Sequence, residues 1–466
     1  MDRPLHILNI NGNSAESIKT RVSKYKKYIS NHIAINPGDI CYYLNSDQVD
    51  TNYRLSIVGA TNEDIIEKLT AFTSNQEQSG ELNGVFYGQI CKQNKLAFLF
   101  TGEGSQYIDM GRQLFETQPV FKKSIMRCDE ILKSYINTRI VDVLYPKQGS
   151  SSSLDETSFA QPALFALEYS LAKLLISWNI LPDIVLGNSL GEYIAACIAG
   201  VFSLEDGLKL VANRSRLMET LKTPGKMVTL FVEESQVSEA IKPYKQDVSI
   251  AVVNGPEIVV LSGKNDVVDS VISDLNAEDK FTDLKRAHAY HSPLTEPILQ
   301  EFKKTTSTVS FAQPKIDIIS NVTGKIIREE IATPNYWSSH LRNKVKFSKC
   351  LETLNKHSAN ILVEVGPDPV LISLYKCLFS KRSNAPISWQ FTKTFFTLKT
   401  LKKDAGVVSQ LNSDKLLLPL LSMGVMDWKC VLHSLGKLYV RGVPVNWSYF
   451  DKFYERGNLD PSILNI

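Results

Sequence analysis

The sequence predicts an α/β protein with a large parallel-sheet unit, a smaller inserted unit and an N-terminal α+β unit. Apolar runs that end in glycine, such as "KLAFLFTG" and "DIVLG", alternate with helical patterns from Lys95 onward, as expected for parallel strands buried on both faces. Residues 226–287 instead follow the order β-α-β-β-α-β, which is the ferredoxin-like order. A serine between two glycines, in "DIVLGNSLGEYIAA", stands at a predicted strand-to-helix turn.

Residues 1–93 form the predicted N-terminal α+β unit. The runs "LHILNIN" and "YRLSIVGA" have the pattern of strands, whereas "AESIKTRVSKYKKYISNHI" and "NEDIIEKLTAFTS" have helical periodicity, the second with Asn62 as its N-cap. The polar stretch "SNQEQSGELNG" predicts a loop. We expect the lysine-rich face of the first helix to be solvated, and contact with an acidic partner is the alternative.

Residues 94–225 and 288–400 form the predicted large subdomain. Strands "KLAFLFTG" and "DIVLG" enclose the apolar helix "SFAQPALFALEYSLAKLLISW", and further helices run to about Leu221. After the inserted unit, "HAYHSPLTEPILQEF" predicts a helix, and "KIDIISN" and "NILVEVG" predict strands. This order indicates a parallel sheet with helices on its faces.

Residues 226–287 form the predicted ferredoxin-like small subdomain. Its strands are "KMVTLFV", "VSIAVVN", "EIVVLSG" and "FTDLKRA", and its helices are "SQVSEAIKPY" and "NDVVDSVISDLN". Residues 401–466 form a tail in which "LHSLGKLYVRGVPVNWSYF" is apolar enough to pack back on the body.

Composition excludes several classes of protein. The net charge of +3 over 466 residues is too small to indicate nucleic-acid binding. No apolar run approaches the roughly 20 residues that span a bilayer, and "MDRPLHILNING" lacks the pattern of a signal peptide. The seven cysteines form no C-x-x-C pair, so neither disulfides nor a metal site are expected. We therefore expect a cytoplasmic protein that binds neither membranes nor nucleic acid.

The turn around Ser189 has the G-x-S-x-G pattern of a nucleophile elbow, which makes the large subdomain α/β-hydrolase-like. A serine hydroxyl needs a base within hydrogen-bond reach, and His288 and His291 in "AHAYHS" lie where the chain leaves the inserted unit. The N–H of Leu190 and the glycine-rich turn "FLFTGEGSQY" are candidates for binding a developing negative charge. Arg214 lies beside the apolar face of its helix, which predicts a carboxylate partner.

Together these residues resemble the acyltransferase domains of modular polyketide synthases and their discrete relative, malonyl-CoA:acyl-carrier-protein transacylase. The resemblance covers about residues 95–400 in family order. Residues 1–93 resemble the linker between ketosynthase and acyltransferase, and "LGKLYVRGVPVNW" resembles the linker after the acyltransferase. The matching segments are "FLFTGEGSQYIDMGRQLFETQPVF", "FAQPALFALEYSLAKLL", "LGNSLGEYIAACIAGVFSLEDGLKLVANRSRLM", "VVNGPEIVVLSG", "AHAYHSPL", "SNVTG", "NYWSSHLRNKVKF" and "VEVGPDPVL".

The resemblance implies a Ser-His acyltransferase that works by a ping-pong reaction. Ser189 would be the nucleophile and His291 the base, oriented by the backbone carbonyl of His340. The backbone N–H groups of Leu190 and Glu103 would form the oxyanion hole. No bound cofactor or metal is implied, because the thioester is a substrate.

The resemblance also implies the substrate and the partner. Arg214 would bind the free carboxylate of a malonyl-type group, and Gln161 and Asn254 would line its pocket, with His288 and Asn188 as further substrate contacts. The donor would be malonyl-CoA or an acyl carrier protein, and the acceptor an acidic, phosphopantetheinylated acyl carrier protein. The segment "HAYH" resembles the "HAFH" version that is typical of malonyl-selective domains.

Two positions depart from the family pattern. Asn188 stands where the family usually has a histidine, and Glu103 stands where it usually has a glutamine. The second exchange does not affect the backbone N–H of residue 103, which is the expected oxyanion donor. An ionised Glu103 would oppose an oxyanion unless it is protonated, turned away or paired with a cation. It could instead favour an extender with a donor at C2, aminomalonyl or hydroxymalonyl, delivered by a carrier protein.

Other functions stay open from the sequence. One is an acyl hydrolase that clears stalled groups from carrier proteins, and another is a degenerate domain kept as a docking scaffold. A chain that starts at Met1 with its own flanking segments is expected to be a stand-alone, trans-acting enzyme, although a domain excised from a synthase fits the same sequence.

Overall fold

Three β-sheets organise the part of the chain described by the computed structural model. It describes residues 2–46, 51–74, 84–147, 149, 151–284, 288–379, 415–457 and 459. One sheet is N-terminal, one is central and mostly parallel, and one is inserted. The predicted α/β fold class is confirmed by this architecture and by solved structures of similar proteins described below.

The N-terminal sheet is antiparallel, with the order β1-β2-β3. Its helix α2 and strand β3 were not predicted. The N-cap of α3 is Thr61 rather than Asn62, because the Thr61 hydroxyl accepts a hydrogen bond from the Asp64 N–H. The Asn62 amide instead donates hydrogen bonds to the carbonyls of Ile33 and Ile35. Most of the predicted loop "SNQEQSGELNG" lies outside the described residues. The elements are β1 (His6–Gly12), α1 (Ala15–Asn31), α2 (Pro37–Ser46), β2 (Tyr53–Gly59), α3 (Asn62–Thr73) and β3 (Val85–Gln89).

The first part of the large unit supplies two adjacent central strands and the helices that cover them. Helix α7 (Thr157–Ser177) is long and apolar enough to span a bilayer by length and composition, but 78% of its most apolar window is buried inside the protein, as in a core helix. The elements are β4 (Leu96–Phe100), α4 (Arg112–Thr117), α5 (Pro119–Leu132), α6 (Ile140–Leu144), α7 (Thr157–Ser177), β5 (Ile184–Gly187), α8 (Gly191–Ala199) and α9 (Leu204–Glu219).

The inserted sheet has the strand order β7-β8-β6-β9, and its paired strands are antiparallel. This is the topology expected for a ferredoxin-like unit, with a helix after the first and third strands. Strand β9 is shorter than predicted, and residues 285–287 of "FTDLKRA" lie outside the described chain. The elements are β6 (Gly225–Leu230), α10 (Glu234–Ala240), β7 (Val248–Gly255), β8 (Ile258–Lys264), α11 (Asn265–Asp274) and β9 (Phe281–Asp283).

The chain then returns to the large unit. The predicted helix at "HAYHSPLTEPILQEF" begins only at Glu296, after a 3₁₀ turn at Pro293–Thr295, and His291 has a φ of +56°, which a right-handed helix does not allow. His288 and His291 therefore lie in an irregular segment before the helix. The elements are α12 (Glu296–Thr306), β10 (Asp317–Ile319), β11 (Ile326–Ile327), α13 (Pro334–Arg342), α14 (Phe347–Lys356), β12 (Ile361–Glu364) and α15 (Val370–Phe379).

The tail packs back on the body, as its apolar pattern indicates. Strand β13 (Leu416–Pro419), which was not predicted, pairs with β12 and completes the central sheet in the order β11-β10-β5-β4-β12-β13. All neighbours in this sheet are parallel except β11. Helix α16 (Asp427–Arg441) lies against β2 and β3 of the N-terminal sheet, and α17 (Trp447–Asp451) follows it.

A buried ion cluster joins the two ends of the described chain. The Arg3 guanidinium and the Asp451 carboxylate are both essentially inaccessible, with 2.7 Å between Nη2 and Oδ1. Arg456 contacts the same carboxylate oxygen at 2.7 Å and also pairs with Asp2. Because a buried charge is costly without a partner, this cluster ties the N-terminal unit to the tail.

Candidate active site

Ser189 stands at a sharp turn between β5 and α8, at the carboxyl edge of the central sheet. Its φ is +49°, a conformation that residues other than glycine rarely adopt. The flanking glycines are required by contact: a Cβ on Gly187 would lie 1.9 Å from the carbonyl carbon of Gly191, and one on Gly191 would lie 2.2 Å from the carbonyl oxygen of Phe100. The turn therefore projects the serine from a crowded backbone, as in a nucleophile elbow.

His291 lies beside this serine. Its Nε2 is 2.8 Å from Ser189 Oγ, which is hydrogen-bond distance. The histidine is 1% exposed and, like the serine, has a positive φ. Strained residues cluster at functional sites, because the surrounding structure must hold them in place. Such a pair can pass the hydroxyl proton to the imidazole and activate the oxygen for attack.

The surroundings keep this imidazole neutral. Burial lowers the pKa of His291 well below 6.5, and the nearby His340 and Arg214 lower it further. The backbone carbonyls of Asn343 and His340 act in the opposite direction, although Nδ1 makes no hydrogen bond of good geometry to described residues. The role of the His340 carbonyl in orienting the ring stays a prediction, and Asn343 is an additional candidate for it.

Arg214 is buried within reach of the same serine. It is 1% exposed, and its Nη2 is 3.4 Å from Ser189 Oγ. Its Nη1 donates to Gln161 Oε1 at 2.5 Å, and its guanidinium carbon lies 4.7 Å from the centre of the Tyr290 ring. Across the described ranges, no Asp or Glu side chain forms an ion pair with Arg214. The pocket thus holds a buried cation that has no carboxylate partner among the residues described.

The Glu103 carboxylate is hydrogen-bonded to residues that line this pocket. Its Oε2 accepts from Gln161 Nε2 and its Oε1 accepts from the Thr157 hydroxyl, each at 2.8 Å. Gln161 uses its other amide hydrogen on the Tyr290 hydroxyl oxygen at 2.5 Å. Burial, and next the charge of Glu103, raise the pKa of Tyr290 well above 10, so that this phenol stays neutral. Glu103 and Arg214 are therefore linked through one fixed glutamine.

The glycine-rich turn after β4 lies against the elbow. A Cβ on Gly102 would be 3.0 Å from the carbonyl oxygen of Asn188. In the portion of the chain described, no protein acceptor contacts the backbone N–H of Glu103 or Leu190. Two free donors on adjacent turns are the requirement for an oxyanion hole.

The other predicted site residues are Asn188, Asn254 and His288, and their described contacts do not define a catalytic or binding role. Asn188 is half-buried beside Gly102. Asn254 is the penultimate residue of β7, and its Oδ1 is buried without a described partner. His288 lines an open cleft of about 460 Å³ together with Glu156, Thr157 and Glu219, next to the Glu103 side of the pocket.

Sequence reasoning missed three residues of the site. Asn321, from the segment "SNVTG", hydrogen-bonds the Ser189 backbone, and Glu192 and Tyr290 are buried in the surrounding polar network. Asn321 follows β10, the parallel neighbour of β5, so its position at the carboxyl edge of the sheet was a usable signal. Glu192 lies in the apolar stretch "GEYIAA" and gave no such signal, whereas Tyr290 lies in the segment "HAYH" but received no role of its own.

Comparison with known proteins gives one consistent group of relatives. Residues 97–390 match the model of the acyl transferase domain family, and residues 6–69 match a model described as CurL-like, PKS C-terminal. The chain is 31% identical over 446 residues to polyketide synthase GfsA of Streptomyces halstedii and 29% identical over 456 residues to the spectinabilin synthase protein NorB of Streptomyces orinoci. These alignments cover 95% and 97% of this chain. The chain spans only 6% of GfsA and 19% of NorB.

Solved structures agree with this grouping. The acyl transferase domain of ZmaA is 29% identical with a TM-score of 0.82, over 99% of both chains. An acyltransferase domain from the second module of the salinomycin polyketide synthase is 28% identical with a TM-score of 0.72, over 96% of this chain and 97% of that one. The malonyl-transacylase PlMCAT, solved in complex with the acyl-carrier protein AntF, is 25% identical with a TM-score of 0.56, over 61% of this chain and 92% of that one.

The lowered pKa of His291 predicts how the reactivity of Ser189 depends on pH. The imidazole must be neutral to accept the serine proton, so reactivity falls only when the pH drops to the folded pKa of His291. We expect the rate of Ser189 labelling by a sulfonyl fluoride to stay constant as the pH is lowered through 6.5 and to fall only well below it. Mass spectrometry of the labelled chain measures this rate, and Ser189→Ala is the control. An inflection at or above pH 6.5 would contradict the prediction.

Proposed function

This chain belongs to the acyl transferase domain family of polyketide synthases, and from this premise we propose that it loads a malonyl-type extender onto an acyl carrier protein. The acyl group would come from a thioester of coenzyme A or of a carrier protein. It would pass through an ester on Ser189 to the phosphopantetheine thiol of the acceptor carrier protein.

The buried guanidinium of Arg214 carries this proposal. A cation that is 1% exposed and lacks a carboxylate partner among the described residues is costly, unless a ligand supplies the anion. Its Nη2 lies 3.4 Å from Ser189 Oγ, so a carboxylate bound there belongs to a short acyl group. A planar carboxylate suits the fork of arginine donors, and a malonyl group carries one carboxylate next to its thioester.

In the first half-reaction, Ser189 Oγ attacks the thioester carbonyl carbon as His291 Nε2 takes the hydroxyl proton. The N–H groups of Leu190 and Glu103 stabilise the oxyanion that forms. The intermediate collapses to the Ser189 ester as the C–S bond breaks, and the imidazolium returns its proton to the departing thiolate. The second half-reaction runs the same steps in reverse, with the carrier-protein thiol as the attacking group.

Hydrolysis of stalled acyl groups is the rival activity. It would require water to reach the Ser189 ester in place of a thiol. The near-complete burial of His291 and Arg214 supports transfer, because a dry site protects the ester. A docking scaffold without activity is disfavoured by the 2.8 Å distance from serine to imidazole.

Unsubstituted malonyl is the first extender we propose, and Glu103 favours a second candidate. Its carboxylate lies on the pocket wall, bonded to the glutamine that holds Arg214. An extender with an amino group at C2 would gain a charged hydrogen bond from it, and a hydroxyl would gain a weaker one. Such an extender would be delivered by a carrier protein.

The function is tested by following the acyl group. We expect malonyl-CoA to add one malonyl group to the intact chain and none to Ser189→Ala, and His291→Ala to slow acylation by about 10²–10⁴-fold. A holo acyl carrier protein should then take the group faster than water does. Loss of malonate to water at the same rate with and without carrier protein would support the hydrolase instead.

Arg214 should determine the preference for a carboxylated group. We expect Arg214→Ala to reduce acylation by malonyl-CoA by roughly 10- to 150-fold, corresponding to about 1.5–3 kcal/mol for a charged hydrogen bond. Acylation by acetyl-CoA should be unchanged or faster, since acetyl has no carboxylate. Arg112→Ala removes an arginine elsewhere on the large unit and serves as the control. Equal losses with both donors would remove Arg214 from the acyl pocket.

Glu103 is tested by restoring the family residue. If its carboxylate contacts the C2 substituent, Glu103→Gln should raise acylation by malonyl-CoA and lower acylation by an aminomalonyl carrier protein, each by about tenfold or more. Both rates are measured by intact-protein mass spectrometry. Changes of less than about twofold in both rates, or under roughly 0.5 kcal/mol, would make the substitution neutral.

A further inference from the structure

We propose that Asn321 is a positioning residue that holds the Ser189 backbone in its strained conformation, and that the buried Glu192 carboxylate anchors it. This inference rests on the proposed function only in naming acyl transfer as the reaction that Ser189 performs. The contacts themselves concern the serine and its backbone.

The amide of Asn321 connects both sides of the elbow. Its Oδ1 accepts from the backbone N–H of Ser189 at 2.7 Å, and its Nδ2 donates to the carbonyl oxygen of Gly187 at 2.6 Å. The side chain is fully buried, so water does not compete for either bond. One planar group thus fixes the end of β5 relative to the nucleophile two residues later.

The elbow needs such support because its conformation is unfavourable by itself. Ser189 has a φ of +49°, which places its N–H outside the hydrogen-bonding pattern of both β5 and α8. An unpaired buried N–H would add a further penalty. Asn321 satisfies this donor only when the turn has the strained geometry, and therefore it stabilises that geometry selectively.

Glu192 holds Asn321 from the other side. Its Oε2 accepts from the Asn321 backbone N–H at 2.7 Å, and its Oε1 accepts from the Tyr336 hydroxyl. The same carboxylate lies 3.3 Å from His340 Nε2, and the His340 ring centre is 5.9 Å from that of His291. The Glu192 carboxylate therefore contacts both Asn321, which supports the nucleophile, and His340, which lies beside the base.

The chain offers a matched control for Asn321. Asn45 is also buried, and its amide makes the same pair of backbone bonds, accepting from the Asn9 N–H at 2.9 Å and donating to the Ile7 carbonyl at 2.8 Å. It lies in the N-terminal unit, away from Ser189. Asn45→Ala removes equivalent bonds without touching the elbow.

The experiment compares Asn321→Ala with Asn45→Ala at equal folded fraction. We expect both variants to have a lower Tm, but only Asn321→Ala to lower the saturated rate of acylation by malonyl-CoA, by about 10²-fold, because a displaced nucleophile loses its attack geometry. Its KM should change by less than about threefold, since Arg214 still binds the carboxylate. Rates within about twofold of the parent protein would overturn the proposal.

Asn321→Asp gives a second, independent readout. A protonated carboxylic acid can accept from the Ser189 N–H and donate to Gly187, whereas a carboxylate cannot donate. We therefore expect the activity of this variant to rise as the pH is lowered, over a range where that of the parent protein is flat. No such rise would count against the proposal, and this variant carries the test if Asn321→Ala does not fold.

Labelling of Ser189 by a sulfonyl fluoride separates the inference from the proposed function. This reaction needs the positioned serine but no malonyl group or carrier protein. If malonyl-CoA fails to acylate the parent protein while Asn321→Ala still slows labelling by about 10²-fold relative to Asn45→Ala, the positioning role stands and the proposed function fails. Equal labelling rates in the two alanine variants would overturn the positioning role.

Discussion

The contact between two backbones at Gly187 and Gly191 is the constraint on which the site depends. No side chain fits there, because a Cβ on either residue would overlap main-chain atoms of Gly191 or Phe100. The close approach forces the chain from strand to helix in three residues and leaves Ser189 at the tip. It also brings the turn after β4 beside the elbow, so the free N–H groups of Glu103 and Leu190 lie on neighbouring turns. The same close backbone contact therefore positions both the nucleophile and the two N–H groups of the expected oxyanion hole.

Around this contact the protein buries polar groups, and two sets of them hydrogen-bond one another. On one side, Gln161 joins Arg214 to Glu103 and Tyr290. On the other, the Glu192 carboxylate receives hydrogen bonds from the Asn321 backbone and the Tyr336 hydroxyl. In a dry environment such bonds are strong and incomplete ones are costly, which favours a single arrangement. Arg214 is one buried group that has no carboxylate partner among the described residues, and a carboxylated ligand would supply one.

The sequence predicted those parts of the molecule that local patterns determine. Glycine spacing and apolar runs located the strands β4 and β5 and the elbow at Ser189, and the position of His291 at a unit junction indicated its proximity. The helix at His288 was placed too early, because its start depends on the backbone of His291, which tertiary contacts hold. Strand β13 exists only by pairing with β12, and the bond from Asn321 to Ser189 joins residues 132 positions apart. Neither has a local signal in the sequence.

The buried ion cluster of Arg3 and Asp451 has a consequence for the order of folding during synthesis. The two residues are 448 positions apart. A ribosome that adds about 5–20 residues per second therefore incorporates Asp451 on the order of 20–90 s after Arg3. For most of that time the N-terminal sheet has no helix α16 to cover it, and Arg3 has no Asp451 carboxylate to pair with. The central sheet also lacks β13 until late. The nascent chain must therefore keep an uncovered sheet face from aggregating until the segment from β13 to Asp451 has been synthesised and has packed on the N-terminal unit.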